Sequence, residues 1–182
     1  FGGNLIMDVT VKKTENLKGA VSAPPSKGYT HRMLIAASLS DGDSKIFNPL
    51  VSNDTLVTLE AVKAIGAEVE LYETCWNIRG HGTIKVPIHP INCGESGSTL
   101  RFMIPVAALA QGPSKFLFGA SFERRPVAPL LESLKELGVE SAVQPDGSSV
   151  VVCGGGIRGG ETSIRGDVSS QFISGLLFAC PK

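Results

Sequence analysis

Three segments of this 182-residue chain open alike, about seventy residues apart, and that spacing limits what the chain can fold into. The first runs Ser26-Lys27-Gly28-Tyr29-Thr30-His31-Arg32 into the apolar stretch Met33 to Leu39. Ser40-Asp41-Gly42-Asp43 then reads as a turn and Lys45-Ile46-Phe47 as a short strand. A helix is expected from Thr55 to Ile65, with Leu56, Leu59 and Val62 on one face and Gly66 as its C′ stop. Ala67 to Leu71 alternates apolar and acidic residues as a half-buried strand does.

The order then returns. Gly94 to Arg101 opens a second apolar helix ending near Gln111-Gly112, and Lys115 to Phe118 reads as a strand. Pro126 suits a helix first turn, Val127, Leu130, Leu131, Leu134 and Leu137 its buried face, and Gly138 its stop. Val139 to Val143 and Ser149 to Val152 form a hairpin pattern around Pro145-Asp146-Gly147. Arg32 and Arg101 are 69 positions apart, Lys45 and Lys115 are 70, Gly66 and Gly138 are 72. A third opening, Asp167-Val168-Ser169-Ser170-Gln171, puts Gln171 another 70 after Arg101 and runs through one helix to Cys180-Pro181. Two complete α/β units and the start of a third predict a truncated chain, whose last helix lacks the strand, helix and hairpin that should follow it.

Composition narrows the function. With 42% hydrophobic residues the chain can bury a core of one domain or slightly more. Its 17 basic and 17 acidic residues cancel, which argues against a nucleic-acid partner and leaves small anionic ligands open. Cys75, Cys93, Cys153 and Cys180 are far apart and make no Cys/His cluster, so no metal is expected, and unpaired thiols suit a cytoplasmic location. No run of 18 apolar residues implies a membrane. Residues 1–6, ahead of Met7, read as an added remnant with no role.

Each opening places small or hydroxylated residues at the head of an apolar helix, where backbone N–H groups lack helical acceptors and the helix dipole is positive. For any single opening an ordinary N-cap accounts for the Ser or Thr. Three at equivalent positions are expected to gather at one end of the domain, with Lys27, Arg32, Arg101, Arg124 and Arg125 in or near them. Arginine grips carboxylate or phosphate with a bidentate fork and lysine adds a compact charge. The pattern predicts a small ligand bearing phosphate and carboxylate groups.

At these residues the chain resembles the enolpyruvyl-shikimate-phosphate synthases. Pro25-Ser26-Lys27 with Arg32 resembles their first-helix motif, and Gly94 to Arg101 is similar to their glycine-rich loop. Arg125-Pro126 and Ser169-Ser170-Gln171 match two further motifs of that family, in order and at the right spacing. The resemblance implies an inside-out α/β barrel fold of two lobes, each of three βαβαββ units, here truncated. Residues 7–24 would then be a leading strand (Met7 to Lys13) and a hinge near Pro24-Pro25, and residues 25–182 the substrate-binding lobe. The reaction it implies joins the 5-hydroxyl of shikimate 3-phosphate to C2 of phosphoenolpyruvate, protonates C3 and eliminates phosphate, without a cofactor. By the same resemblance Lys27, Gly97 and Arg125 would contact phosphoenolpyruvate, with Lys27 stabilising charge on the transferred group. Arg32, Ser169, Ser170 and Gln171 would hold shikimate 3-phosphate. The family's acid/base residues lie in the second lobe, so the chain alone is expected to be inactive.

Departures from the family pattern are Gly28 in place of a phosphate-contacting serine, and Glu95 and Ser98 where Asn and Thr are common. The loop Gly119 to Pro126 is one residue shorter than in several relatives. UDP-N-acetylglucosamine enolpyruvyl transferase is the nearest alternative, but its loop cysteine is lacking between Gly119 and Pro126, and Lys27-Gly28 replaces its Lys-Asn. An RNA-processing relative of the same fold fits poorly with neutral charge, 6% aromatic residues and the Ser-Ser-Gln triplet.

Overall fold

A computed structural model describes residues 9–120 and 127–182. Helix α1 (Lys27–Leu39) begins on Ser26, whose Oγ accepts the Tyr29 N–H. Strand β1 (Asp41–Phe47) follows, then α2 (Asn53–Ala64), β2 (Glu68–Leu71) and β3 (Cys75–His81). A two-residue strand β4 (Ile91–Asn92) leads into α3 (Gly97–Ala107), β5 (Ser114–Leu117), α4 (Ala128–Glu136), β6 (Ser141–Val143) and β7 (Ser149–Val152). Helix α5 (Ser170–Ala179) comes last. One sheet has the order β1-β3-β2 and the other β4-β5-β7-β6, with only β4 and β5 parallel. In both sheets the strand after the first helix pairs with the second strand of the hairpin.

The expected helix stops hold. After α2, Gly66 takes φ 107°, its N–H bonds the Lys63 carbonyl and that of Ala67 bonds Val62. After α4, Gly138 takes φ 84°, with the same bonds to Lys135 and from Val139 to Leu134. These are matched Schellman turns, closed by contact positions (Val62 with Ala67, Leu134 with Val139) that are all buried. The expected face of α4, from Val127 to Leu137, is buried throughout.

Several expectations fail for tertiary reasons. Asp41 to Asp43 is not a turn but the start of β1, held by β3 in register Asp41↔His81 and Asp43↔Arg79; cross-strand pairing outweighs the turn preference of Asp-Gly-Asp. Leu56 is exposed, and the buried face of α2 is instead Thr55, Thr58, Leu59, Ala61 and Val62. Helix α4 begins at Ala128 with Pro129 in its first turn; Pro126 lies outside the described residues. Residues 9–24 are irregular here, with Val9, Val11, Leu17 and Val21 exposed; the leading strand expected from Met7 to Lys13 would belong with a second lobe, and Met7 lies outside the described residues. Strands β3 and β4 had no sequence expectation.

The sheets lie over one hydrophobic core centred on α3 and fed by α1, α2, α4 and α5. Helix α5 approaches α3 through Gly175, where an added Cβ would come within 2.6 Å of the Arg101 carbonyl oxygen and 3.1 Å of Pro105 Cγ. At and just beyond the C-terminal ends of α1 and α3, the chain of each returning hairpin passes over backbone carbonyls at two glycines. A Cβ at Gly80 would lie 2.6 Å from the Ala37 oxygen, 2.8 Å from that of Ser38 and closer still to that of Ser40. Gly154 meets the Ala110 and Gly112 oxygens in the same way. Because those contacts are backbone, no side chain can give way. Gly80→Ala and Gly154→Ala should therefore each destabilise the chain by about 2–3 kcal/mol in urea unfolding, whereas Gly147→Ala, with nothing near its Cβ, should lose only the cost of its positive φ.

Candidate functional site

Helices α1, α3 and α5 are each capped by a serine: Ser26 to the Tyr29 N–H, Ser96 to the Thr99 N–H and Ser169 to the Gln171 N–H, each at 3.3 Å. Satisfying one orphan donor per helix leaves further N–H groups at each start. Side chains within the first two turns then join the three helices. Gln171 Nε2 donates to Ser98 Oγ at 2.8 Å, and its Oε1 accepts from Arg101 Nη1 at 2.9 Å. Arg32 Nη2 donates to Ser174 Oγ at 3.1 Å and Nη1 to the Gly28 carbonyl at 3.0 Å. The three starts lie together at one end, as expected.

The guanidinium groups are placed by aromatic faces as well as by hydrogen bonds. Arg32 stacks 5.0 Å from the Phe102 ring centroid of α3, and Arg101 5.3 Å from that of Phe172 in α5. Lys27 Nζ lies 2.8 Å from Asp54 Oδ2 at the start of α2, and both side chains are solvent-accessible. Such an exposed pair is worth under about 1 kcal/mol, so a ligand anion could compete for the lysine. Gly97 is the first residue of α3 and is buried; Ser170 is the first of α5 and is exposed. Thus Lys27, Arg32, Gly97, Ser169, Ser170 and Gln171 share one end of the domain, while Arg124 and Arg125 lie outside the described residues.

Sequence reasoning missed a buried chain of polar groups beneath this end. His31 Nδ1 is 2.6 Å from Thr58 Oγ1, which is 2.6 Å from Thr99 Oγ1, which is 2.7 Å from Ser96 Oγ. It links α1, α2 and α3. The available signal was polarity out of place: His31 inside an apolar helix, and Thr58 next to Leu59 and one turn before Val62 on the buried face.

A family model for EPSP synthase (3-phosphoshikimate 1-carboxyvinyltransferase) matches residues 11–182. The chain belongs to the EPSP synthase family. The 3-phosphoshikimate 1-carboxyvinyltransferase of Methanothermobacter thermautotrophicus is 47% identical over 177 residues, covering 96% of this chain and 42% of that protein. The enzyme of the same name from Methanocaldococcus jannaschii is 42% identical over 176 residues, covering 94% of this chain and 41% of that protein. The chain thus spans 41–42% of the length of these relatives. Among solved structures, EPSP synthase from Acinetobacter baumannii matches 88% of this chain and 38% of its own with a TM-score of 0.78 at 24% identity, a likeness of fold. This mixed α/β chain with two sheets therefore matches part of an EPSP synthase. No helix among the described residues is long and apolar enough to cross a membrane.

His31 in this EPSP synthase family member is 1% exposed, and burial lowers its pKa from 6.5 to about 4. Asp54 of α2 opposes the shift, while Lys27 and Arg32 of α1 reinforce it; from α3, Thr99 and Phe102 face this cluster. Below pH 6.5 the unfolded chain takes up the proton first, so this group's stability contribution is complete above 6.5 and is lost as pH falls toward about 4. By about pH 5 the loss should reach about 2 kcal/mol. Urea unfolding at pH 7 and pH 5 should show that excess loss in the wild-type chain relative to His31→Asn; equal losses would contradict a buried neutral imidazole.

Proposed function

We propose that this chain supplies the part of a 3-phosphoshikimate 1-carboxyvinyltransferase that holds shikimate 3-phosphate and one side of phosphoenolpyruvate. The observation that carries the reading is the meeting of Arg32, Ser98, Arg101, Gln171 and Ser174 where three helix starts adjoin, in a chain of this family. Helix starts with serine hydroxyls and arginine forks suit a phosphate and a carboxylate on one small molecule. Shikimate 3-phosphate carries both. The matched sheet orders support a reading of residues 25–182 as successive βαβαββ units of one lobe, with residues 7–24 joining it to a second lobe.

In this reading Arg32 takes the shikimate carboxylate, and Ser169 and Ser170 take the phosphate at the start of α5. Gln171 has a double part, since both ends of its amide already tie α5 to α3. Lys27, Gly97 and Arg125 are assigned to phosphoenolpyruvate. Lys27 would stabilise charge on the transferred group as the 5-hydroxyl gives up its proton and adds to C2, C3 takes up a proton, and C3 then loses a proton as phosphate departs and the double bond returns. A second lobe would complete the site by closing over both substrates and excluding water, in the cytoplasm and without a cofactor.

Titration of the 182-residue chain with shikimate 3-phosphate, followed by NMR, should shift residues around Arg32 and Ser169. Ser169→Ala combined with Gln171→Ala should abolish detectable binding. Gly28→Ser should tighten it, because an added Cβ meets only Arg32 Nη1 at 3.4 Å and Ser26 Oγ at 3.9 Å. One charge-assisted hydrogen bond is worth about 1.5–3 kcal/mol, roughly ten- to more than a hundred-fold in affinity. Equal binding by the double variant would overturn the assignment. The chain assayed alone with both substrates should release no phosphate above background.

A further inference from the structure

Thr58, Thr99 and Ser96 each bring one hydroxyl proton to the chain that starts at His31, so its direction depends on which ring nitrogen carries hydrogen. His31 Nε2 is buried without a hydrogen-bond partner, and the imidazole meets the Phe102 ring edge-on with ring centroids 6.5 Å apart. A proton on Nε2 would be a buried N–H with no acceptor, which native structures avoid more strictly than an unused lone pair. With the proton on Nδ1, every short contact is satisfied in one direction. Nδ1–H donates to Thr58 at 2.6 Å, Thr58 to Thr99 at 2.6 Å, and Thr99 to Ser96 at 2.7 Å. The other acceptor near Thr58, the Asp54 carbonyl, is farther at 3.3 Å. Ser96 Oγ then receives both the Thr99 hydroxyl and the Thr99 N–H, which leaves its lone pairs turned into α3 as an N-cap requires.

We infer that His31 is a positioning residue of this site: held neutral with its proton on Nδ1, it drives the hydroxyl chain from α1 through α2 to Ser96 and so sets the start of α3 against α1. The identity of the ligand held there rests on the proposed function; the proton's place does not. His31 acts through Thr58 and Thr99 on the helix that carries Gly97 and Ser98.

The test uses the whole 182-residue chain. Long-range proton–nitrogen NMR correlations at neutral pH should show Nε2 of His31 bare and Nδ1 protonated, the reverse of the tautomer favoured by a histidine side chain in water. Thr58→Val and His31→Leu should speed amide exchange of Ser98, Thr99 and Leu100 roughly tenfold, the effect of losing one buried hydrogen bond. His31→Asn should restore it to within about threefold of wild type, because its amide N–H can stand where Nδ1–H stood. Shikimate 3-phosphate affinity should follow the same order. A proton on Nε2, or exchange as fast in His31→Asn as in His31→Leu, would overturn the inference. Should the tautomer and the rescue of exchange hold while wild type fails to bind shikimate 3-phosphate, the proposed function falls and the positioning of α3 by His31 stands.

Discussion

Helix α3 is enclosed, and the rest of the structure is arranged by that enclosure. Nine of its 11 residues are buried, so it cannot lie on a surface with one apolar stripe and must have neighbours on several sides. Helices α1, α2 and α5 and strand β5 provide them. Phe102, with 1% exposure, packs beneath both Arg32 and Phe178. Burial of one such ring contributes about 1.5–3 kcal/mol. The polar side chains of α3 are confined to positions 98, 99 and 101, so the helices around it can offer polar partners to it at one end only. The candidate site lies at that end for this reason.

Bringing three helix starts together has an electrostatic cost, because their partial positive charges face one another. The protein meets it with neutral dipoles more than with acids. Serine caps, the Gln171 amide and the threonine hydroxyls accept and donate among the helices, and Asp54 answers Lys27 at the exposed edge. Enough positive potential is left for an anion to be the natural ligand of this end. Aromatic stacking holds Arg32 and Arg101 in place without consuming their charge. Burial keeps the imidazole of His31 neutral, and Lys27 and Arg32 nearby add to that against the opposing pull of Asp54.

The sequence showed most clearly what depends on neighbours along the chain. The Schellman stops at Gly66 and Gly138, the serine caps and the apolar run of α3 all follow from spacing over a few residues. Serine and threonine at the helix openings could be read as ordinary caps before any fold was known, and their recurrence pointed to a common end; the fold puts the cap of α3 on Ser96. Strand β3 escaped because its sequence, with Asn77, Arg79 and Gly80 among Trp76 and Ile78, becomes a strand only between β1 and β2. Leu56 was misplaced because residues on either side of an apolar stripe have similar spacing, and only the seat of α2 against α3 and β4 selects Thr58 over Leu56 for the interior.

Local order, the period of about seventy residues and the residue types able to hold an anion were therefore determined by the sequence alone, since each depends on contacts within a helical turn or on repetition. Tertiary structure decided which of those groups meet. Gln171 bridges 70 and 73 positions to Arg101 and Ser98, Arg32 spans 142 to Ser174, and Thr58 spans 41 to Thr99. No short-range pattern encodes such pairs. They arise because Gly175 lets α5 lie directly on α3 and because an enclosed helix leaves its neighbours one polar end to share.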